Sequence, residues 1–539
     1  MHRSPDSSAS ASRSEVRQPW WRTAVFYQVY VRSFADSDGD GVGVGDLAGI
    51  REKLGYLHLL GVDALWLTPF YPSPMVDHGY DVADPRDVDP LFGNLADFDA
   101  LVTDAHALDL KVTIDLVPNH TSDRHPDFVA ALAAAPGSPE RAKYVFRDGR
   151  GPDGGEPPNN WHSIFGGPAW TGVPDGQWYL HLFAAEQPDL DWTNPAVPAD
   201  LETTMRFWLD RGVDGFRIDV AHGMAKAAGL PDMDRPDRKN TVPDPEGGQD
   251  PRFDVEEVHG VHRLIRRVLD AYPDRVTVGE IWVHTDDRLA RYVRPDELNL
   301  AFNFRLLQAD WDAEAFRDAI VDSLAAMDSV GAPTTWVLSN HDVVRHTSRY
   351  SRGADERTGR RRARAAALVQ LALPGVAFVY YGDELALPNV ELPDEALQDP
   401  VWERSGHQQR GRDGERVPMP WSGEKPPYGF SAAAKTWLPA PDGWADLTVE
   451  AQLEDPHSTL SLYRRALELR HDHPGFGGPG LEWFTGPEGC LAFRRPGGLL
   501  CALNASTEPV PILPGKILLA SGPLGDDGTL PPDTTVWLI

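Results

Sequence analysis

Four acidic residues each close a short apolar run: Asp115 follows "VTI", Asp219 follows "GFRI", Glu280 follows "TVG" and Asp342 ends "LSNHD". His120, Arg217 and His341 stand in or beside the same stretches. A lone acid at such a place is best read as a helix cap. Four of them brought together would repel one another unless chemistry requires them. Two carboxylates facing one bond suit glycoside cleavage. One attacks the anomeric carbon while the other protonates the departing oxygen, and a separation of about 5 to 5.5 Å gives retention of configuration. Negative neighbours raise the pKa of the proton donor and keep it protonated near neutrality. An arginine two residues before the attacking carboxylate, as Arg217 stands before Asp219, can hold it ionised and aligned.

Such acids need a scaffold that gathers strand ends. Strand-like runs occur at Val25 to Tyr30, Ala64 to Thr68, Val112 to Leu116, Gly215 to Asp219, Arg275 to Glu280, Leu300 to Phe304, Thr335 to Ser339 and Ala377 to Tyr380. Helical segments such as "LAGIREKLGYLHLLG" and "ADFDALVTDAHALDL" separate them, the alternation a (β/α)8 TIM barrel requires. A doubly wound open sheet is the competing arrangement, but no glycine-rich phosphate fingerprint follows the first strand. In a barrel the active site lies at the carboxyl ends of the strands, where the four acids fall. Residues 117–200, after the third strand, are rich in Gly, Pro, Asn and Trp and are expected to form an inserted subdomain over the barrel mouth. A second insertion covers 382–440 after the eighth strand, so the barrel occupies 20–116 and 201–470. From 471 to 539, after an amphipathic helix near "LSLYRRALELR", strand-like alternation predicts a C-terminal antiparallel β-sandwich. The basic run "RTGRRRARAAALVQLAL" tempts a nucleic-acid reading but fits the exposed start of the helix before strand eight.

Bulk composition narrows the partners. A formal charge of -30, from 81 acidic against 51 basic residues, repels nucleic acid and anionic membrane surfaces. Seventeen Trp and fourteen Tyr supply flat amphipathic surfaces of the kind sugar rings stack on. Residues 1–19 read as a disordered tail without an apolar leader, and no stretch of membrane-spanning length is apolar, so a soluble cytoplasmic protein is expected. Cys490 and Cys501 flank a hairpin turn at "RPGG" whose register sets Cys490 nearer Asn504, which predicts free thiols.

The loop "SFADSDGDGVGVGDLAGI" places Asp36, Asp38 and Asp40 at alternate positions. An EF-hand starting at Asp36 needs a glycine at its sixth position, which Gly41 supplies, and a glutamate at its twelfth, where Leu47 stands. The preceding "AVFYQVYVRSF" reads as a strand, so a calcium switch is disfavoured. A structural Ca²⁺ or Mg²⁺ clip and a solvated acidic loop both remain.

"DLVPNH" (115–120), "GFRID" (215–219), "GE" (279–280) and "NHD" (340–342) resemble, in this order, the four motifs of glycoside hydrolase family 13, the α-amylase family. The resemblance runs from about Trp20 to the C-terminus. "QPDLDW" (187–192) is similar to the QPDLN motif of the α-glucosidase and oligo-1,6-glucosidase subfamily, departing from it at Asp191. The resemblance implies that Asp219 is the nucleophile, Glu280 the general acid and base, and Asp342 the stabiliser of the oxocarbenium-like state. It implies that Arg217, His120 and His341 hold a glucose in subsite −1. "VDHGYD" looks like the stretch that closes the pocket, with Tyr80 stacking on the sugar and Asp77 binding its non-reducing-end hydroxyls. The partner of Asp77 is assigned to Arg412 over Arg416, and Phe165 and Phe183 resemble aromatic walls. A valine after the nucleophile, here Val220, accompanies acceptance of α-1,6 bonds in this family. By resemblance the acidic loop would bind one structural Ca²⁺ or Mg²⁺ through Asp36, Asp38, Asp40, the Val42 carbonyl and Asp46, the last displaced by an additional Val-Gly; no organic cofactor is implied. The expected activity is a retaining, exo-acting α-glucosidase on short gluco-oligosaccharides, monomeric or homodimeric, with some transglucosylation. Trehalose synthase, sucrose isomerase and α-glucosyltransferase share the scaffold and are the alternatives, with a non-catalytic relative the distant one.

Overall fold

A computed structural model describes residues 18–37, 39–234 and 250–539. Of the expected tail, only residues 18 and 19 are among them. Eight parallel strands form one sheet: β1 (Val25–Val29), β2 (Ala64–Leu67), β3 (Lys111–Leu116), β4 (Gly215–Ile218), β5 (Val276–Gly279), β6 (Leu300–Ala301), β7 (Thr335–Val337) and β8 (Val376–Tyr380). They lie in the order β7-β8-β1-β2-β3-β4-β5-β6, so β8 pairs with β1 and the sheet curls into a nearly closed barrel. Both faces of the strands are covered, which is why they read as apolar runs and not as alternating ones.

Alternate residues divide between two apolar clusters. Phe26, Trp66, Val278, Val337 and Phe378 belong to one, which fills the barrel. Val25, Tyr27, Leu65, Val112 and Val379 belong to the other, between strands and helices. The period of two fixes where the chemistry goes. In β3, Val112 and Ile114 join the outer cluster, which turns Thr113 and Asp115 inward. In β4, Phe216 and Ile218 do the same and leave Arg217 inside. The register pairs Asp115 directly with Arg217, and Arg217 with Val278, two residues before Glu280.

Several strands stop short of the runs read from sequence: β6 ends at Ala301, not Phe304, and β7 at Val337, not Ser339. Beyond those points the backbone turns away to build the mouth. At the seam between β6 and β7 a side chain joins the two strands. The Thr335 hydroxyl donates to Ala301 O at 2.6 Å and accepts from the Asn303 amide at 3.0 Å.

The insertion after β3 carries a helix (Pro126–Ala133) and a three-stranded antiparallel sheet (Phe146–Asp148, Gln177–Leu180, Trp170–Gly172). Phe128, Tyr144, Phe146 and Tyr179 form its own small core. The next barrel helix is Ala196–Asp210, so the boundary placed after residue 200 falls inside that helix. After β8 come short 3-10 turns and the helix Pro400–Arg404. The basic run lies in the helix Glu356–Ala372, where Asp355 caps the Thr358 amide and Ala363 and Ala365–Ala372 are buried. The C-terminal region forms a five-stranded antiparallel sheet (Glu482–Phe484, Cys490–Arg494, Leu500–Asn504, Thr534–Leu538, Ile517–Ala520) and a two-stranded pair (Val510–Pro511, Thr529–Leu530). Cys490 stands opposite Asn504 and Cys501 opposite Phe493, and both thiols are free. Among the described residues no helix is long and apolar enough to cross a membrane.

If Thr335 closes the seam, Thr335→Val keeps the shape and loses both hydrogen bonds. We expect a loss of about 1 to 3 kcal/mol in urea unfolding; unchanged stability would show that the seam does not depend on it.

Candidate active site

Arg217 is the hub of the strand ends. Its Nη1 donates to Asp219 Oδ1 at 2.6 Å and Asp115 Oδ1 at 2.8 Å, and its Nη2 lies 2.8 Å from Glu280 Oε2. The guanidinium is buried, 5.2 Å from the Trp66 ring and 5.7 Å from that of Tyr80, so aromatic faces complete its shell. Trp66 Nε1 and the Tyr80 hydroxyl both donate to Asp115 Oδ2, at 3.0 and 3.2 Å. Glu280 is held from two further sides, by Trp282 Nε1 at 3.1 Å on Oε1 and by the Val220 amide at 3.0 Å on Oε2. Val220 itself has φ of +45°, a left-handed conformation that costs a β-branched residue about 1 to 3 kcal/mol. That turn presents the Val220 amide to the Glu280 side chain and the Ala221 amide to the Glu280 carbonyl, at 3.0 Å.

A second pair of arginines, from the insertion after β8, holds Asp342. Arg412 Nη1 and Arg416 Nη2 meet its Oδ1 at 2.9 and 3.0 Å. Arg412 also reaches Asp77 Oδ1 at 2.8 Å through Nη2 and Asp399 Oδ2 at 2.6 Å through Nε. Arg416 turns elsewhere, donating from Nε to the His341 carbonyl at 2.8 Å. The partner of Asp77 is therefore Arg412. Phe165 lies 5.0 Å from the Arg412 guanidinium and 5.5 Å from the Phe183 ring, which in turn lies 5.3 Å from the ring of His120.

The Tyr80 ring stacks on His341, with 5.3 Å between centroids and 3° between planes. His341 is fixed at both nitrogens, by Gln28 Nε2 at 2.7 Å and the Tyr80 hydroxyl at 2.7 Å. His120 sits 3.1 Å from Gln187 Nε2 and 3.2 Å from the Tyr80 carbonyl. Behind it Lys226 ties Asn119 Oδ1 and Asp189 Oδ2, each at 2.8 Å. Asp77, Tyr80, His120, Phe165, Phe183, Asp219, Val220, Glu280, His341, Asp342 and Arg412 line one cavity of about 240 Å³. Arg217 lies beneath it. His222, Trp282, Val343, Val401 and Ile164 complete the lining.

Burial pushes the Asp115 and Asp77 carboxyls up to about 6, against the pull of Arg217 and Arg412 respectively. Asp219 is also raised, by burial and by Glu280 and Asp115, while Arg217 opposes. For Asp342 burial is outweighed by His341, Arg412 and Arg416, and the carboxyl is held below the usual range. Burial lowers His120 to about 4 and lowers His341 as well. Both imidazoles are thus neutral near neutrality, with their ring nitrogens already engaged by Gln28 and Tyr80 at His341 and by Asn119, Gln187 and the Tyr80 carbonyl at His120.

Asp46 caps the helix Leu47–Glu52, with Oδ1 accepting from the Gly49 amide at 2.6 Å and the Ser37 hydroxyl at 2.9 Å, and Oδ2 from the Ser37 amide at 2.8 Å. Asp40 Oδ1 accepts from the Val42 amide at 2.6 Å, and Ser431 donates to Asp36 Oδ2. Asp38 lies outside the described residues. Among those described, no three His, Cys, Asp or Glu side chains gather as metal ligands. The hard oxygen donors suit Ca²⁺ or Mg²⁺, but Asp46 is engaged in capping.

Residues 28–476 match the catalytic-domain model of α-amylase. The chain belongs to the α-amylase family of glycoside hydrolases. It is 40% identical to a probable α-glucosidase of Rhizobium meliloti, over 93% of this chain and 92% of that one. With the oligo-1,6-glucosidase of Parageobacillus thermoglucosidasius the identity is 35%, over 85% and 84%. Among solved structures, an α-glucosyl transfer enzyme, XgtA, superposes with a TM-score of 0.87 at 37% identity, over 97% of this chain and 99% of the other. The trehalulose synthase MutB of Pseudomonas mesoacidophila superposes with a TM-score of 0.85 at 31% identity, over 96% and 99%.

Within this family member the sequence reading missed Trp282, Gln187, Lys226 and Asp399 as parts of the site. Two had a signal: Trp282 follows Glu280 by two residues, and Gln187 opens "QPDLDW". Asp399 and Lys226 gave none, because only folding brings them to Arg412 and Asn119. The electrostatics predict a pH dependence. Asp219 keeps its proton to higher pH than an ordinary aspartate, so if it acts as the attacking carboxylate, hydrolysis falls as pH drops through that raised value. Arg217→Gln removes the opposing charge and should move the acid limb of kcat/KM upward by about 1 to 3 pH units; an unmoved limb would mean that another group sets it.

Proposed function

We propose that the protein is a retaining, exo-acting α-glucosidase that releases glucose from the non-reducing end of short α-linked gluco-oligosaccharides. The observation that carries this reading is the Asp77–Arg412 ion pair in the wall of the cavity that holds Asp219, Glu280 and Asp342. A small cavity containing that pair suits one terminal glucose better than an internal stretch of chain. Relatives named α-glucosidase and oligo-1,6-glucosidase support it.

In the proposed mechanism, Asp219 attacks the anomeric carbon while Glu280 gives its proton to the glycosidic oxygen, and the aglycone leaves. Glu280, now a carboxylate, takes a proton from water, whose oxygen attacks the same carbon and releases Asp219. Arg217 aligns Asp219, and Trp282 with the Val220 amide holds Glu280. Asp342, an anion between Arg412 and Arg416, binds the ring hydroxyls most strongly when positive charge develops at the anomeric carbon. Tyr80 stacks on the sugar, His120 and His341 meet its hydroxyls, and Phe165 and Phe183 wall the entrance. Val220 favours use of α-1,6 as well as α-1,4 bonds.

Transfer is the second reading, because the neighbours XgtA and MutB are named for glucosyl transfer and trehalulose synthesis. It shares the glucosyl-enzyme and differs only in the acceptor. The two free thiols accord with a cytoplasmic location. For the acidic loop we propose a structural ion, Ca²⁺ or Mg²⁺, bound by Asp36, Asp38, Asp40 and the Val42 carbonyl, with Asp46 closing the loop from its capping position. The glycine-borne winding supports it, with Gly39, Gly41 and Gly43 at φ of 63°, 84° and 72°.

Glucose should be released from both maltose and isomaltose, and Asp219→Asn should abolish it, a fall of about 10³-fold or more. Disaccharide interconversion from sucrose or maltose as the main product would favour transfer, and no glucose from either substrate would overturn the proposal. For the ion, elemental analysis of chelator-free protein should find Ca²⁺ or Mg²⁺, and EDTA should lower the melting temperature. Metal-free protein with an unmoved melting temperature on adding CaCl₂ would remove it.

A further inference from the structure

A second cavity, of about 660 Å³, lies between the helix Glu356–Ala372 and the C-terminal sheets. None of the residues described for the catalytic cavity lines it. Arg357, Arg361 and Arg364, four and three residues apart on one face of the helix, line it together with His457, and Pro523, Pro531 and Pro532 supply apolar wall. The helix is explained by its buried alanines and leucines, but burial does not account for arginines converging on a cavity. In a chain of net charge -30 such a lining is a local reversal of sign.

Three local acids face these arginines: Asp533 in the lining, Asp355 near Arg357 and Arg361, and Asp455 near Arg364. Asp533, the acid of the lining, is already served: its Oδ1 accepts from Arg362 Nε and Trp311 Nε1, both at 2.8 Å, and Arg361 approaches Oδ2 only at 3.4 Å. Arg364 is held by neutral groups, its Nε donating to the Ser521 carbonyl at 2.8 Å and its Nη1 to the Thr459 hydroxyl at 3.1 Å. Those bonds orient the guanidinium without neutralising it. Burial accordingly lowers its pKa, with Asp455 the opposing charge. Arg357 stands exposed at the helix start. A fixed guanidinium, a loosely paired one and an exposed one suit an anion with several oxygens, because guanidinium forks bind phosphate oxygens in pairs. The volume falls within the range of small-molecule sites, and proline rings offer a surface to a carbon skeleton.

We propose that this cavity is a binding site for a phosphate monoester of a small metabolite, with the phosphate held by Arg357, Arg361 and Arg364. The test is calorimetric titration of the full-length protein with glucose 6-phosphate, inorganic phosphate and a short single-stranded oligonucleotide, repeated on the double variant Arg357→Ala/Arg361→Ala. Both substituted side chains are exposed, so the variant should keep its melting temperature and its rate of glucose release from maltose. The ester should bind wild type, more tightly than inorganic phosphate, and the variant about tenfold more weakly or worse. No ester binding to wild type, undiminished binding to the variant, equal binding of inorganic phosphate, or binding of the oligonucleotide alone would each overturn the proposal.

Discussion

One buried guanidinium balances three carboxylates at the floor of the site, and the rest of the arrangement depends on it. Without Arg217, Asp115, Asp219 and Glu280 would stand as neighbouring acids with no cation among them, and burial already resists ionisation of Asp115 and Asp219. Breaking a buried ion pair costs more than forming it gains, because the remaining charge is left without a partner. The barrel supplies the position: Arg217 and Asp115 are cross-strand partners on adjacent parallel strands, both facing inward. Trp66 and Tyr80 then close over the charge, and each also donates to Asp115.

A second layer of charge comes from outside the barrel. Arg412 and Arg416, in the insertion after β8, bring two positive charges to Asp342, which stands after β7. Arg412 extends the link to Asp77, after β2, and to Asp399 within its own insertion. One side chain therefore ties together two strand-end loops and the insertion. The two arginine groups divide the labour between the acids. Arg217 only partly offsets the burial that raises Asp219, whereas His341 and the arginine pair at Asp342 overcome burial and keep that group an anion. Of these two acids, Asp342 is the one whose surroundings hold it as an anion.

The acidic loop shows how a local pattern can be legible in kind and still ambiguous in use. Alternating aspartates and glycines identify a tightly wound loop of hard donors, and the left-handed glycines match that. Its last aspartate, Asp46, stands at the start of the helix Leu47–Glu52, where free amides compete for its oxygens. Gly43 passes so close to Lys435 that a Cβ would come within 2.1 Å of its carbonyl oxygen.

By itself the sequence determined the barrel, the chemical family and the inward acids. Strand parity is a property of successive residues, and the motifs that end the strands are contiguous in the chain. The cysteine register was equally local, since a short hairpin fixes which residues face each other. What only the tertiary structure decided were contacts between distant segments: Arg412 and Arg416 on Asp342, 70 and 74 residues away, Lys226 on Asp189 and Asn119, and the stitch of Thr335 across the barrel seam. Such contacts depend on how two long insertions fold back over the mouth, and no periodicity along the chain encodes the distance between residues that meet only after the barrel has closed.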